Sequence, residues 1–383
     1  MSSLDDFATA KLAALADSRL ARRIDETRRG ADSRARRGGA DLISFCCNDY
    51  LDLTQHQGVK RAAIAAIREY GAGAGASRLV TGSHPLYVRL EEQLARIKGT
   101  EAAVVFGSGF LANLGIVPAL AAKDDLILAD ELVHASLHAG VRAADANAML
   151  FAHNDAEDCR RLLAAHRGEH TNCLILTEGV FSMDGDRAPL KALSGLAREY
   201  DCWLLVDDAH GFGVLGGGRG SAFEDGALDI PLQMGTLSKA VGAYGGFLCA
   251  SKPVVELMAS RARSLIYTTG LPPGVVGAAI AALDIIETEA DRVARPLANA
   301  RRFTASLNLP AAESPIVPVI VGDSGRALDA AAALAERGFL VSAIRPPTVP
   351  DGTARLRFTF TAGHRDRDIE RLVAAVREIG LAA

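Results

Sequence analysis

No apolar stretch in the 383-residue chain approaches the ~20 uncharged residues that a membrane-spanning helix needs. The start, Met-Ser-Ser-Leu-Asp-Asp, has no basic region followed by an apolar core, so no secretory signal is expected and the expected location is cytoplasmic. Neither sign of charge is in large excess: the formal net charge is −4, which gives no general reason to expect nucleic acid or membrane binding. The six cysteines are scattered. Only Cys46 and Cys47 are neighbours, and no pair has metal-ligand spacing, which argues against both a disulfide framework and a zinc site. There is no internal repeat, no low-complexity segment, no G-x-S-x-G elbow and no P-loop.

What is present is the composition of an ordinary globular protein, 49% hydrophobic and 23% charged, long enough for two domains. From about residue 100 to 250, short apolar runs alternate with helical patterns. Ala102–Phe106, Leu126–Ala129, Met149–Phe151, Cys173–Thr177, Trp203–Val206 and Phe247–Ala250 read as strands, and Ala156–His166 and Leu190–Tyr200 as helices. Runs buried on both faces and joined by helical crossovers imply a mainly parallel α/β sheet. Leu86, Leu90, Leu94 and Ile97 mark one face of an earlier helix that ends near Gly99. A long alanine-rich helical pattern from Gly274 to about Asn308 reads as a spine. It leads into Val317–Val321, a helix over Leu328–Arg337, Leu340–Ile344, Arg355–Thr361 and a last helix from about Arg367, a smaller α+β unit. The expected division is an N-terminal helix and arm over 1–50, a large α/β domain over 51–273, and the spine with the small domain over 274–383.

The polar residues with chemistry lie just after the apolar runs, where open parallel sheets bind ligands. Lys239 closes Gly235-Thr236-Leu237-Ser238-Lys239, directly after Ile230 to Met234. Thirty-two positions earlier (239 − 207), the run Trp203 to Val206 ends in Asp207-Asp208-Ala209-His210-Gly211. A lysine on a small-residue turn can form a Schiff base, an acid at a strand end can protonate a ring nitrogen, and a nearby histidine can reach a phenolic oxygen. Together they suit pyridoxal phosphate as an electron sink. His134 follows another strand and could stack a flat face on an aromatic cofactor, although a histidine there is more often a helix-start or packing residue. Glu178 through Asp186 follows another strand and reads equally as an ordinary βα turn. Asp207, Asp208 and His210 as metal ligands would lack a second cluster to complete the site.

A dinucleotide fold competes. Gly107-Ser108-Gly109-Phe110-Leu111-Ala112 matches G-x-G-x-x-A between strand and helix, with Asp130 after the next strand as the ribose acid. The same glycines at a helix start would hold a phosphate monoester equally well.

Along nearly its whole length the chain resembles the α-oxoamine synthases, acyltransferases of the fold-type-I pyridoxal phosphate family. The resemblance is carried by Asn48-Asp49-Tyr50-Leu51, Ser77 through Gly82, Ser108-Gly109-Phe110, His134-Ala135-Ser136 and Glu178 through Asp186. Asp207 through Gly211, Gly235 through Lys239 and Ile266-Tyr267-Thr268-Thr269 continue it. Cys46-Cys47 departs from the small polar pair usual before Asn-Asp-Tyr, and Asp52 stands where glycine is usual. The resemblance implies Lys239 as Schiff-base lysine, Asp207 as partner of the pyridine nitrogen, and His210 and Ser182 near the phenolic oxygen. It implies His134 stacked on the ring and touching substrate. Gly109, Phe110 and Thr236 would lie at the phosphate, with Thr269 reaching it from the other subunit of a homodimer. Asn48 and Arg345 would hold the amino-acid carboxylate and Thr348 would line the acyl path. One of the eight arginines between Arg19 and Arg37 would meet the acyl chain's distal carboxylate: Arg28, with Arg22 and Arg23 as alternatives. Ile344 through Pro350 and Asp208 through Gly211 are similar to the biotin-pathway branch, which joins L-alanine to a pimeloyl thioester of coenzyme A or acyl carrier protein. The alternatives are a glycine C-acetyltransferase-type member and, more distantly, a NAD-dependent dehydrogenase.

Overall fold

The computed structural model describes residues 2–381. Its centre is a seven-stranded sheet: β1 (Ala102–Phe106), β2 (Leu126–Asp130), β3 (Asn147–Phe151), β4 (Cys173–Glu178), β5 (Trp203–Asp207), β6 (Leu232–Thr236) and β7 (Gly246–Ala250). The spatial order is β1-β7-β6-β5-β4-β2-β3. β6, β5, β4, β2 and β3 run parallel, and only β7 is antiparallel to its neighbours β1 and β6. β4 and β5 are buried over their central residues because helices cover both faces, which is why they read as unbroken apolar runs. At the carboxyl ends of β4, β5 and β6 stand Glu178, Asp207 and Thr236. This strand order, with one antiparallel member, is not that of a dinucleotide fold.

The expected spine is two helices, Pro273–Thr288 and Ala290–Ser306. They part at Glu289, whose ψ of 68° is not helical. The expected strand Leu340–Ile344 also divides. Phe339–Leu340 pairs in parallel with Ala40–Ser44, whereas Ser342–Ile344 pairs with Ala354–Thr359, so the chain changes sheets at Val341. Residues 27–44 thus form a small antiparallel sheet whose last strand is shared with the C-terminal part. Phe45 seals that junction, stacked on the His364 ring at 3.9 Å between centroids and packed against Phe339 and Phe360. The neighbouring turn holds Asp52 at φ +54°, the left-handed region that explains why glycine suits this position. Its carboxylate accepts from the Asp32 N–H at 2.8 Å. Among the described residues no helix is long and apolar enough to cross a membrane.

Candidate active site

Two bonded chains of residues meet at the carboxyl ends of β4, β5 and β6. In the first, the Lys239 amine lies 2.7 Å from His210 Nε2, and His210 Nδ1 lies 2.6 Å from the Tyr50 hydroxyl. The Arg357 charge lies beside Tyr50; its guanidinium reaches Asn48 Oδ1 at 3.3 Å and donates through Nε to the Ser182 carbonyl. In the second, Asp207 Oδ2 accepts from Asn113 Nδ2 at 2.7 Å. The same nitrogen reaches Ser136 Oγ at 2.9 Å, and Ser136 Oγ lies 2.7 Å from His134 Nδ1. The His134 ring is therefore tied to Asp207 through two intermediate side chains. It caps the helix Ala135–Ala143, accepting from the Ser136 N–H.

Burial sets the protonation pattern. It lowers His210 well below the ordinary histidine range, assisted by the Lys239 and Arg357 charges. Partial desolvation of its ring lowers His134 as well, although the residue is largely exposed, against the pull of Asp207. Burial also brings the Lys239 ammonium down to about 8, although the Asp207 charge pulls the other way. Tyr50 is pushed up to about 12 by burial, so it stays a hydroxyl.

The two adjacent aspartates have different work. Asp208 is committed to the fold: it faces the Lys98 ammonium at 3.2 Å and accepts from the Ser221 hydroxyl at 2.6 Å and the Ser221 N–H at 3.0 Å. Asp207 faces the site, with Oδ1 fixed by the Ala209 N–H at 3.0 Å. Asp130, the ribose acid of the dinucleotide reading, is consumed internally. It accepts from the Leu132 and Asn154 N–H groups and contacts His153, and it is fully buried. That reading is set aside.

These residues fit pyridoxal phosphate. Asp207 offers a fixed carboxylate to a ring N–H⁺, and Lys239, a half-buried residue, an amine hydrogen-bonded to a histidine. The helix Gly109–Leu120 opens beside β6, capped by Ser108, whose hydroxyl accepts from the Leu111 N–H at 3.2 Å. The first-turn N–H groups of Gly109 and Phe110 have no intrahelical acceptor and suit a phosphate. Thr236 adds a hydroxyl, 2.8 Å from that of Ser238. A Cβ on Gly109 would come within 3.2 Å of the Met234 methyl and 3.5 Å of Thr236, so glycine keeps this corner open.

Three expected site residues lie outside this cluster. Arg28 sits in the strand Thr27–Arg29, opposite Arg36, and lines a surface cavity with Arg36, Asp41 and Arg371. Arg22, named as an alternative to it, lies by contrast beside Thr348, its guanidinium donating to Thr348 Oγ1 at 3.0 Å. Arg22 and Thr348 line a cavity of about 780 Å³ together with His134, Ser182 and Pro346 through Asp351. Arg345 points elsewhere, donating to the Arg19 carbonyl. Thr269 is exposed and makes a bridge with Ser77, beside the exposed side chains of Leu79, Val80 and Tyr267.

The residue that the sequence reading missed here is Arg357. It is 5% exposed, yet among the described residues it meets only neutral acceptors: Ser182, Asn48 and Thr359. Its neighbour on the same strand face, Arg355, is neutralised by Asp184. Two arginines at alternate positions of the apolar strand Ala354–Thr359 were the available signal. Asn113, a polar residue on an otherwise apolar helix face, was another.

A family profile described as aminotransferase class I and II matches residues 40–376. The 8-amino-7-oxononanoate synthase of Methylocella silvestris is 64% identical over 343 residues, covering 90% of this chain and 98% of that protein. That of Beijerinckia indica is 57% identical, covering 98% of each. Among solved structures, serine palmitoyltransferase from S. paucimobilis, carrying a PLP–myriocin adduct, superposes with a TM-score of 0.91 at 31% identity over the full length of both chains. An 8-amino-7-oxononanoate synthase from Francisella tularensis gives a TM-score of 0.74 at 29% identity, over 88% of this chain and 98% of that one. Identity of this order over nearly the whole length means that the chain belongs to the class I and II aminotransferase family of fold-type-I pyridoxal phosphate enzymes and, within it, to the 8-amino-7-oxononanoate synthases.

Proposed function

We infer that the protein condenses L-alanine with a pimeloyl thioester, giving 8-amino-7-oxononanoate, CO₂ and free thiol, as a step of biotin biosynthesis. The observation that carries the substrate assignment is Arg357, a buried guanidinium without a carboxylate partner among the described residues, beside the Tyr50–His210–Lys239 chain of hydrogen bonds. A buried unpaired cation is an expensive feature unless a ligand supplies the anion. The α-carboxylate of an amino acid placed there, with Asn48 beside it, presents its Cα towards the Lys239 amine.

Pyridoxal phosphate, when bound, supplies the electron sink for the pair left at Cα. Gly109, Phe110 and Thr236 would hold its phosphate, Asp207 its ring nitrogen, His210 and Ser182 its phenolic edge, and His134 its face. The Lys239 amine, lowered to about 8, takes the Cα proton near neutral pH and later returns one. Between those transfers, the Cα pair forms a bond to the acyl carbon, the C–S bond breaks with release of thiol, and the carboxylate leaves as CO₂. The cavity lined by Arg22, Thr348 and Pro346 through Asp351 receives the acyl chain, with Arg22 at its distal carboxylate.

The working unit is a homodimer, in which Thr269 and the exposed Leu79, Val80 and Tyr267 meet the second subunit; an apolar group of this kind suits an interface. Six free cysteines suit a reducing, cytoplasmic compartment. The test is release of CO₂ and thiol with alanine or glycine against pimeloyl-CoA or acetyl-CoA. Alanine with the pimeloyl thioester should lead by at least about 10² in kcat/KM, which requires only ~2.7 kcal/mol of differential binding. A preference for glycine with acetyl-CoA would refute the substrate assignment.

A further inference from the structure

The site contains a second buried acid that the chemistry above leaves unused. Glu178 and Asp207 end the neighbouring parallel strands β4 and β5 and stand in register with one another. They are 3% and 4% exposed. Both Asp207 oxygens are held by donors, Asn113 Nδ2 and the Ala209 N–H. Glu178 is served more poorly. It lies beside the His134 main chain, and its Oε1 has no partner among the described residues.

Two carboxylates side by side in a buried site are rarely both ionised, and the charge stays where the donors are. We propose that Glu178 is a positioning residue that works as a neutral carboxylic acid, offering its unpartnered oxygen as a hydroxyl donor to the bound ligands. Asp207 is then the single anion beneath the ring. The groups that face Glu178 agree with this division. Burial, Asp207 and Asp130 push it well above the ordinary carboxylate range, while Lys239 and the His134 N–H pull the other way.

The consequence falls on Lys239. An ionised Glu178 would set a second anion near the amine and hold the proton on it; a neutral one leaves the amine closer to free base. Glu178 thereby sets the readiness of Lys239 without touching the reacting atoms. This inference rests on the cofactor reading, and its tests separate the two.

Difference infrared spectroscopy of the cofactor-free protein at neutral pH should show the carbonyl band of a protonated carboxylic acid, lost in Glu178→Gln. Absence of that band in the wild type, or its full persistence in the variant, overturns the proposal; neither measurement requires cofactor. The second readout is the pH dependence of pyridoxal phosphate capture by cofactor-free enzyme, which needs the Lys239 amine unprotonated. Glu178→Gln should leave its midpoint within about 0.5 unit, because one neutral group replaces another. A fall of about one unit or more would mean that a carboxylate had been removed, since a charge lost from a coupled buried pair moves its neighbour by that much. If Glu178→Gln does not fold, the infrared band of the wild type, titrated to high pH, decides the question alone. A protein that never turns yellow with pyridoxal phosphate would instead refute the cofactor reading.

Discussion

Arg357 and Arg345 make opposed predictions about alanine binding. In the wild type the Arg357 fork spans Asn48 Oδ1 at 3.3 and 3.4 Å, long contacts that a carboxylate can replace with two short, charge-assisted ones. Hydrogen bonds to charged groups are worth about 1.5–3 kcal/mol each, and two that share one guanidinium are not fully additive. A net loss of about 3–5 kcal/mol is expected for Arg357→Ala, equivalent to roughly 10²–10³·⁵ in kcat/KM. Arg357→Lys keeps the charge but not the fork, and should fall about 10–10²-fold. Arg345→Ala loses only the bond to the Arg19 carbonyl and should stay within about fivefold of wild type, since surface substitutions change little. The assay is thiol release at saturating pimeloyl thioester with alanine varied, alongside the absorbance of the bound cofactor. Cofactor binding should survive in all three variants, so that the deficit appears against alanine. If Arg345→Ala raises the alanine KM more than Arg357→Ala does, the placement of the carboxylate here is wrong.

The paired aspartates should separate function from stability. Asp207→Asn should fold and lose roughly 10²–10³ in rate, whereas Asp208→Asn strands the buried Lys98 ammonium at about 3–5 kcal/mol and should show chiefly in thermal denaturation; an inactive but stable Asp208→Asn would reverse these roles. His364 is held to about 4 mainly by burial, accepts at Nδ1 from the Thr361 N–H at 3.0 Å and pairs Nε2 with the Ser44 carbonyl at 3.0 Å. Protonation costs the Thr361 bond, so the folded state binds the proton later than the unfolded chain does. The stability this provides is full above about 6.5 and lost as pH falls towards 4, about 3 kcal/mol in all. His364→Asn should flatten that part of the stability–pH curve, and an unchanged slope would count against it. Mixing Lys239→Ala protein with a separately inactive Thr269→Ala variant should restore partial activity if sites are shared between subunits; a fully active monomer in sedimentation would exclude sharing.

Lys239, Asp207 and His210 were legible in the sequence because each follows an apolar strand within a few residues, and strand ends are local features. The same holds for β1, β2, β4 and β5, whose apolar runs are bounded by turn residues. Arg22 could be named only as one of three arginines. The sequence around Arg28 looks no different, but strand pairing with Arg36 turns Arg28 away, while the irregular segment before it passes Thr348. Tyr50 and His210 are 160 positions apart, and Asn48 and Arg357 are 309 apart; no local pattern announces such meetings. Arg345 looked suitable beside its two prolines. Burial favours Arg357 instead, because a strand enclosed on both faces carries its arginine into the site and a loop does not.

The sharing of one small sheet between the two ends of the chain bears on how the protein is made. Ile43 pairs with Phe339, 296 residues later (339 − 43). At ribosomal speeds of roughly 5–20 residues per second, the partner strand emerges about 15–60 s after the first. Throughout that interval the edge of Ala40–Ser44 is uncovered, and Phe45 lacks both His364 and Phe360. A nascent chain in this condition presents an open strand edge and an unburied aromatic ring, the two features that chaperones hold and aggregates recruit. Yield of folded enzyme should therefore depend on the time between the two ends of the message as well as on the stability of the finished protein.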